Sequence, residues 1–498
     1  MIAAAVSGEL AHLLGITVVG YAVLMIALSW WTRGRIKDHE DFLVAGRRLP
    51  LHLAWATIVA TWFGAGAMLT ATDTVRAHGL RGAALDPIGA GVCLFLAGWL
   101  LARPLWEMKL LTLPDFYGRR FGTATERLSA VLMIPTYFGW IAAQFVALAH
   151  LLELVFGLDP ALGILVVALV GMAYTLIGGM WSVTLTDAAQ IAVVAVGLVL
   201  LSGAVLVELG GGSLGGGIER LVDETAPERL VLVPHEDATV FVAWLGVVAV
   251  GALGNLPGQD LTQRIFASRS AKTAVWACHI AGIVYFGLGV FTLTMGLAAD
   301  VLVGPAEAGK ATMPLLASLF LSPWAAVLFV LAVMSAVLST IDSAILSPAS
   351  VLAQNLLAPR WPTIDKLKLN RWSVAIVTAA SIVTAYLGES AYSLLESAYE
   401  LGLVSLLVPL VLGLRTMSSS RPSGREFGGE AAAIASMLVG TALWMLHFAL
   451  GWQSFLAPLV DPLGLPLPVA FTSAAVGLLV YIAVARRENR RLTAGVDA

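Results

Sequence analysis

Charged side chains are scarce in this sequence. Asp, Glu, Lys and Arg together make up 12% of the 498 residues, whereas 59% are hydrophobic and the mean hydropathy is +0.87. A typical soluble domain carries about a quarter charged residues. The composition therefore excludes a soluble globular protein and predicts one that crosses a lipid bilayer many times.

Cysteine is also rare. The two cysteines, Cys93 and Cys278, both fall inside apolar runs, so they indicate neither a disulfide framework nor a redox compartment. No cluster of His and Cys and no pair of nucleophile and base is visible, which argues against an enzyme. The basic residues are spread over many loops rather than gathered in a patch, so nucleic-acid binding has no support.

Long apolar runs are abundant. A hydrocarbon core about 30 Å thick requires about 20 apolar residues in a helix. The sequence therefore predicts an all-α polytopic membrane protein with 13 transmembrane helices. These spans lie near residues 11–31, 51–72, 84–105, 126–155, 159–178, 182–207, 238–257, 274–298, 323–354, 372–388, 398–414, 428–451 and 466–485.

The basic residues set the predicted orientation. If the N-terminus is outside, five of the 29 Lys and Arg residues face outward, namely Arg76, Arg81, Arg220, Arg229 and Lys310. The others face inward, and the loop after the seventh span contributes Arg264, Arg269 and Lys272. This distribution obeys the positive-inside rule and predicts a plasma or inner membrane protein with a cytoplasmic C-terminus. The excess of Arg over Lys is typical of a GC-rich bacterial genome.

Residues 331–350, LAVMSAVLSTIDSAILSPAS, combine small hydroxyls with one carboxylate at membrane depth. At 3.6 residues per turn, Ser339, Asp342 and Ser343 fall on one stripe, and Thr340 adjoins it. These hard oxygens suit Na⁺, whereas zinc or copper would require His or Cys. Ser and Thr can also simply pack membrane helices together. The carboxylate favours a functional site, because an ionisable group at membrane depth is costly.

Two spans are interrupted by glycine or proline. The second, IVATWFGAGAMLTATD, has Gly64 and Gly66 near its middle, and the seventh, VAVGALGNLPGQDLTQR, has a Gly/Pro cluster within residues 251–258. Glycines at such positions can also be ordinary close-packing residues with no further role. Paired interruptions in corresponding halves of a chain nevertheless indicate a transporter with inverted repeats and a midplane site. Unwound backbone there frees carbonyl oxygens that can bind a cation.

The two interrupted spans, the second and the seventh, stand five apart, and this spacing predicts the domain organisation. Residues 1–40 hold an accessory helix and an inward loop, and residues 41–207 form the first repeat with spans 2–6. A Gly-rich outward loop at residues 208–237 leads to the second repeat, spans 7–11 at residues 238–415. Residues 416–498 add two accessory spans and a short cytoplasmic tail.

Further polar and aromatic residues lie inside spans. Trp140 and Gln144 share one face of the fourth span with Tyr137. An aromatic stripe of this kind is more often packing than a binding wall. Asp187 lies at the start of the sixth span, just inside the membrane, where an interfacial helix cap is the alternative to a functional role.

Six motifs in this order resemble the sodium/solute symporter family over residues 41–415. They are DFLVAGRRLP, ATWFGAG, LPDFYGRRFG, YTLIGG followed by TDAAQ, LPGQDLTQR and SAVLSTIDSAILS. The resemblance implies a LeuT-type core of five plus five helices in inverted repeats. It also implies alternating access and sodium-coupled secondary active uptake of a small organic solute.

The resemblance also implies ion ligands. The principal sodium site would use three backbone carbonyls and two hydroxyls, from Ala60, Phe63, Ala336, Ser339 and Thr340. A possible second sodium site would use Asp187, Asp342 and Ser343. Two neighbouring carboxylates repel each other unless a cation or a proton lies between them, which is consistent with a second ion.

Within the family, the motifs look most like the high-affinity choline transporter branch. Choline is held by cation–π contacts with an aromatic cage. Trp62 and Trp140 match two cage positions, whereas Ala90 and Gly258 stand where that branch has aromatic residues. Carboxylates beside these gaps indicate a different substrate with an amine that donates hydrogen bonds. The predicted solute-binding residues are Trp62, Trp140, Gln144, Asp86, Gln259 and Asp260.

A transporter-like membrane sensor of a small solute is the alternative function. Only residues 488–498 follow Arg487, and this segment is too short for a kinase or a receiver domain. Composition alone would also allow a passive channel, but the two interrupted helices favour a transporter. The sequence indicates no particular oligomeric state.

Overall fold

The computed structural model describes residues 8–305, 311–387, 391–418, 427–463 and 467–494. Within these ranges the chain consists of helices, turns and one isolated bridge between Leu49 and Ser268. The α-helices of the N-terminal part are α1 Gly8–Thr32, α2 His39–Val44, α3 Leu51–Trp62, α4 Ala71–His78, α5 Ala90–Leu96, α6 Ala102–Glu107, α7 Leu113–Phe121, α8 Thr123–Phe156, α9 Pro160–Leu209 and α10 Leu214–Glu224.

The α-helices of the C-terminal part are α11 Ala238–Gly254, α12 Gln259–Ala267, α13 Ala271–Val303, α14 Thr312–Phe320, α15 Pro323–Val351, α16 Lys366–Tyr386, α17 Ala391–Ser405, α18 Leu407–Ser418, α19 Glu430–Leu450, α20 Ala457–Val460 and α21 Val469–Ala494. Short π-helical stretches adjoin several of these helices, at Gly66–Thr70, Ala84–Gly89, Ala97–Leu101 and Leu352–Leu357.

Many of these helices can cross a membrane. In the described part of the chain, eight are long and apolar enough to do so, or ten if each of two bent pairs forms one span. The pairs are α11 with α12, bent by 42°, and α17 with α18, bent by 44°. The predicted all-α polytopic membrane fold is confirmed, and the count of 13 spans stays a prediction.

Helix α9 contains the boundary between the predicted fifth and sixth spans. A straight helix of its 50 residues would be about 75 Å long, more than twice the hydrocarbon thickness. Its backbone is non-helical at Gly179, with φ 49° and ψ −153°. A Cβ atom at Gly179 would lie 2.7 Å from the carbonyl oxygen of Phe42, so both the positive φ and the close approach require glycine. The element is therefore two helices that meet at the predicted boundary between the fifth and sixth spans.

Both predicted helix interruptions are present. Helix α3 ends at Trp62, Phe63 has φ −84° and ψ 62°, and helical structure resumes at Gly66. A Cβ atom on Gly64 would lie 2.7 Å from Gln144 Oε1 and would collide with the Thr340 hydroxyl. Glycine thus allows α8 and α15 to approach the break.

Backbone hydrogen bonds join the two interrupted spans at one end. Leu49, just before α3, donates its amide to the Ala267 carbonyl at 3.0 Å. Its own carbonyl accepts the Arg269 amide, also at 3.0 Å. The beginning of the second span and the end of α12 are therefore fixed to each other.

The long helix α15 lies in the protein interior. It packs against α3, α8 and α9 and is buried at every position from Ala332 to Val351. Its hydroxyls and Asp342 therefore face protein rather than lipid.

The Gly-rich segment between the predicted repeats has more structure than a simple loop. It contains α10, and the hydroxyl of Ser213 caps this helix by accepting the Gly216 amide at 3.3 Å. Arg229 then pairs with Asp300 at 2.9 Å. The capping serine stabilises the start of this helix by about 1 kcal/mol, which offsets part of the cost of its glycines.

Candidate ion and solute sites

The predicted sodium ligands meet where α15 passes the break in the second span. Ser339 Oγ lies 2.8 Å from the carbonyl oxygen of Ala60 and 3.0 Å from that of Ala336, within hydrogen-bond distance of both. Thr340 donates its hydroxyl to the Ala336 carbonyl at 3.0 Å. Both hydroxyls are buried. The site thus gathers four oxygens from two helices.

Phe63, the fifth predicted ligand residue, lies at the break itself. Its amide donates to the Val59 carbonyl at 2.7 Å, and its ring packs edge-on against Tyr285 with 5.5 Å between centroids. Carbonyls in the last turn of a helix lack the usual intrahelical partners. The Ala60 carbonyl, which meets Ser339 instead, shows that this backbone is open to other donors or to a cation.

The chemistry of these groups suits an alkali cation. Hydroxyl and carbonyl oxygens are neutral, hard ligands, whereas transition metals prefer imidazole or thiolate. In the ranges that the structure covers, no three His, Cys, Asp or Glu side chains come together as a possible metal site. The residues at the break therefore fit Na⁺.

A second polar cluster lies one helical turn further along α15. Ser343 donates to Asp342 Oδ1 at 3.1 Å, and Thr61 on α3 donates to the Ser343 hydroxyl at 3.0 Å. Asp187 on α9 accepts the Thr57 hydroxyl at 2.5 Å. Asp187 and Ser343 of the predicted second sodium site thus contact the same stretch of α3, and Asp342 is joined to them through Ser343. An interfacial cap is the wrong role for Asp187, because its carboxylate is fully buried and faces another helix.

Arg264 enters this cluster from α12. Its Nη2 donates to Ser343 Oγ at 2.5 Å and lies 4.0 Å from Asp187 Oδ2, while Nη1 donates to the Asp260 carbonyl at 3.0 Å. The side chain is fully buried. The prediction that Arg264 belongs to an inward loop is therefore wrong, because α12 continues the seventh span and carries the guanidinium into the interior. The signal that could have found it is the pair of carboxylates at membrane depth, which needs a cationic partner.

Two carboxylate oxygens in this cluster have no hydrogen-bond partner. They are Asp187 Oδ1 and Asp342 Oδ2, both buried. When both acids are ionised, the two carboxylates and the Arg264 guanidinium leave one negative charge. A buried unsatisfied polar atom costs about 1–3 kcal/mol, and more when it is charged. The cluster can therefore accept one monovalent cation.

Asp260 is the centre of the predicted solute site. Its Oδ2 accepts the indole N–H of Trp62 at 2.6 Å, and its Oδ1 accepts the Tyr137 hydroxyl at 2.6 Å. The Trp140 ring packs against Tyr137 with 5.9 Å between centroids. A carboxylate and three aromatic side chains from α3, α8 and α12 thus form one cluster.

Asp86 joins the same cluster from the predicted third span. The Tyr285 hydroxyl donates to Asp86 Oδ1 at 2.7 Å and lies 3.3 Å from the Trp62 carbonyl oxygen. Trp62 is therefore linked to Asp260 through its indole and to Asp86 through its backbone and Tyr285. Both tyrosines of the cluster were absent from the predicted site, although buried carboxylates require hydrogen-bond donors and phenols can supply them.

A cavity adjoins the Asp260 side of this cluster. It lies between α8, the break from α11 to α12, and α17, and Tyr137, Trp140, Gly258, Asp260 and Tyr399 are among its lining residues. The aromatic stripe on α8 therefore faces the cavity as well as the core.

The two predicted glutamines occupy different places. Gln144 Oε1 accepts the Ala65 amide at 2.8 Å, beside the break in the second span. Gln259 Oε1 accepts the Leu113 amide at 2.7 Å, and its Nε2 donates to Ser350 at 3.2 Å. Gln144 thus lies between the ion and solute residues, whereas Gln259 is held apart from them by α7 and α15.

Solved structures show the class of fold. The chain is similar to a Na⁺-coupled sialic acid symporter in a substrate-bound, outward-open state, with a TM-score of 0.74, 18% identity, and coverage of 95% of this chain and 96% of the other. It also resembles Mhp1, a nucleobase-cation-symport-1 family transporter, with a TM-score of 0.56 and 16% identity. The fold is accordingly that of the LeuT-type transporters.

The family follows from the sequence comparisons. The model of the "Sodium:solute symporter family" matches residues 42–415, and the chain belongs to this family. The human high affinity choline transporter 1 is 28% identical over 410 residues, which cover 76% of this chain and 68% of the relative. The sodium/proline symporter of Escherichia coli is 24% identical over 466 residues, or 88% of each chain.

Proposed function

We propose that this protein couples the inward movement of Na⁺ to the uptake of a small organic solute by alternating access. Family membership supports this function. The observation that carries it is the contact of Ser339 with the Ala60 carbonyl, because it places a hydroxyl of α15 against the unwound backbone of the second span. An ion bound there would hold the two helices together.

The ion would be held by the five oxygens of the predicted principal site. The ligands are the backbone carbonyls and hydroxyls of Ala60, Phe63, Ala336, Ser339 and Thr340. A second Na⁺ would be held by Asp187, Asp342 and Ser343, with Thr57 and Thr61 close by. The unpartnered carboxylate oxygens support this second ion.

Coupling would pass through Gln144. This side chain accepts the Ala65 amide directly after the break and lies one helical turn from Trp140 in the cavity wall. An ion that orders the break would therefore also order one wall of the solute site. Because each ligand favours the same arrangement, each would raise the affinity for the other by the same factor.

The solute would bind among Trp62, Trp140, Gln144, Asp86 and Asp260. Gln259 would instead position α12 through its bonds to α7 and α15. We further propose 13 spans with the N-terminus outside, and inverted repeats at residues 41–207 and 238–415. The inward excess of basic residues and the two interrupted spans support this arrangement.

Uptake into proteoliposomes under an imposed inward Na⁺ gradient tests the function. The panel includes choline and betaines, amines, amino acids, short monocarboxylates and sugars. We expect accumulation of one class above equilibrium and no accumulation when the gradient is collapsed with an ionophore. Accumulation that is indifferent to Na⁺ would contradict symport. Na⁺ binding without accumulation of any compound would leave the ion site standing and favour a solute outside the panel or the alternative function, a membrane sensor.

A further inference from the structure

The solute cluster contains two buried carboxylates without a cationic partner. Asp86 and Asp260 are 5% and 4% exposed. In the described part of the chain, neither forms an ion pair, and their hydrogen bonds come from the neutral donors Tyr285, Trp62 and Tyr137. The buried guanidinium of Arg264, which belongs to the same helix as Asp260, is directed at Ser343 and Asp187 instead.

The local backbone offsets only part of this charge. Asp260 lies in the first turn of α12, where the helix dipole favours a carboxylate by about 0.3–1 kcal/mol and at most ~2 kcal/mol. Burying an ion costs several kcal/mol even after relaxation. Asp86 has extended backbone, with φ −144° and ψ 129°, directly before Pro87, so it lies at the start of the next helical segment, whose dipole likewise offsets only part of the charge. A cation bound between Asp260 and Asp86 would supply the positive charge that compensates the two carboxylates.

Glycine at position 258 leaves the Asp260 carboxylate open to the cavity. A Cβ atom there would lie 2.8 Å from Asp260 Oδ1 and 3.7 Å from the Tyr137 hydroxyl, so any larger side chain would cover this oxygen. A carboxylate has about four lone-pair positions, and Oδ1 and Oδ2 have each accepted one hydrogen bond. The remaining positions can accept N–H groups from a ligand.

A buried donor near the cluster also lacks a partner. Gln144 is fully buried, and its Nε2 makes no hydrogen bond, although its Oε1 is bonded to Ala65. This amide lies one turn along α8 from Trp140, which lines the cavity. An unused N–H at this place calls for an acceptor oxygen on the ligand.

We propose that the solute is a small protonated amine that carries N–H donors and a hydroxyl oxygen and has no carboxylate of its own. This inference rests on the proposed solute site. The ammonium group would donate to Asp260 and Asp86 against the rings of Trp62 and Trp140, and the hydroxyl would accept from Gln144. The carboxylate of an amino acid would instead place a third negative charge beside these two acids.

A quaternary ammonium fits the site less well. It has no N–H group and depends on the faces of several aromatic rings. Two positions of such a cage hold Ala90 and Gly258, which offer no ring. The indole N–H of Trp62 is already engaged by Asp260, so the site is arranged around a carboxylate rather than around a closed aromatic cage.

The test uses ethanolamine, N-methylethanolamine, N,N-dimethylethanolamine and choline on the full-length protein. These probes share one hydroxyl and lose N–H groups one at a time. Binding is measured as ligand-induced thermal stabilisation in saturating Na⁺, together with glycine betaine and alanine as zwitterions. We expect affinity to fall along the series by at least about tenfold from ethanolamine to choline, since hydrogen bonds to charged groups are the stronger ones.

Two variants make the result specific. Asp260→Asn removes the charge and should make the affinities for the four amines similar. Asp223→Asn, on the exposed surface of α10, should leave the differences in affinity unchanged. If Asp260→Asn does not fold, the order of affinities from ethanolamine to choline on the unaltered protein is sufficient to test the proposal. Failure of ethanolamine to stabilise the protein, or tighter binding of choline or a zwitterion, would overturn the amine assignment. Na⁺-driven uptake of choline in liposomes would overturn the amine assignment but would still support symport. The two proposals can therefore be tested independently.

Discussion

Ser339 on α15 and Ala60 on α3 approach within 2.8 Å through a hydroxyl and a carbonyl oxygen. The contact joins two residues that are 279 positions apart in the sequence. It lies at the break of the second span, where helical hydrogen bonding stops. Variants on the α15 side can therefore remove oxygens from the proposed ion site without touching the backbone that forms the rest of it.

Ser339→Ala and Thr340→Ala should each weaken activation by Na⁺. Loss of one oxygen ligand to a charged group costs about 1.5–3 kcal/mol, so the half-activating Na⁺ concentration should rise roughly tenfold or more. Thr378→Ala on α16 is the matched control, since this buried hydroxyl donates to the carbonyl four residues earlier in its own helix, at 2.8 Å. Na⁺ titrations of uptake would refute the site if both variants behaved like the control.

Gly64→Ala should disable transport. The new methyl group would collide with the Thr340 hydroxyl on α15 and with Gln144 Oε1 on α8, so the break or one of these two helices must move. Gly287→Ala on the exposed side of α13 is the control, because a Cβ there meets nothing within 4 Å. We expect the initial uptake rate to fall by at least about tenfold for Gly64→Ala, the effect of about 1.4 kcal/mol, and to stay unchanged for Gly287→Ala. Equal rates would mean that the close approach at the break is dispensable.

Arg264→Gln should destabilise the protein strongly. Removing one partner of a buried ion pair costs about 3–5 kcal/mol, and here two carboxylates lose their shared cation. Combining it with Asp187→Asn should restore part of the loss, because one carboxylate is then neutral. Apparent melting temperatures of the two single variants and the double variant measure this coupling. Additive losses would show that Arg264 and Asp187 act independently.

The hydrogen-bond network around His39 should make the stability of the protein depend on pH. Its Nε2 lies 3.0 Å from Gln354 Oε1 and its Nδ1 lies 3.0 Å from Asn370 Nδ2, which suits a neutral ring. Burial lowers the pKa of His39. The unfolded chain, with a pKa of about 6.5, then binds more protons than the folded one, so stability should fall as the pH drops below about 6.5. His39→Gln should reduce that slope in melting curves recorded across this window.

Local chemistry allowed several features to be predicted. The interruption after Trp62 follows from Gly64 and Gly66, and the turn at Gly179 follows from a glycine that can adopt positive φ. The hydroxyl stripe on α15 follows from helical periodicity, and the structure shows Ser339 facing the break as expected. In each case the signal lies within a few residues of the feature.

Pairings between distant helices could not be read from the sequence. Trp62 and Asp260 are 198 residues apart, and nothing local shows that an indole N–H will meet that carboxylate. Arg264 looked like a loop residue because its motif is polar, yet the fold buries it against Asp187. Gln259 has the right residue type for a ligand contact, but its rotation on α12 directs it to Leu113. The packing of helices around α15 decides these orientations.

The two backbone hydrogen bonds of Leu49 have a mechanical consequence. They hold the beginning of the second span to Ala267, the last residue of α12, and to Arg269 just after it. A tilt of either interrupted helix would pull on the other, because separating them requires both bonds to break. We therefore expect α3 and α12 to move together as one unit during the transport cycle, with the backbone bending at residues 63–65 and 255–258.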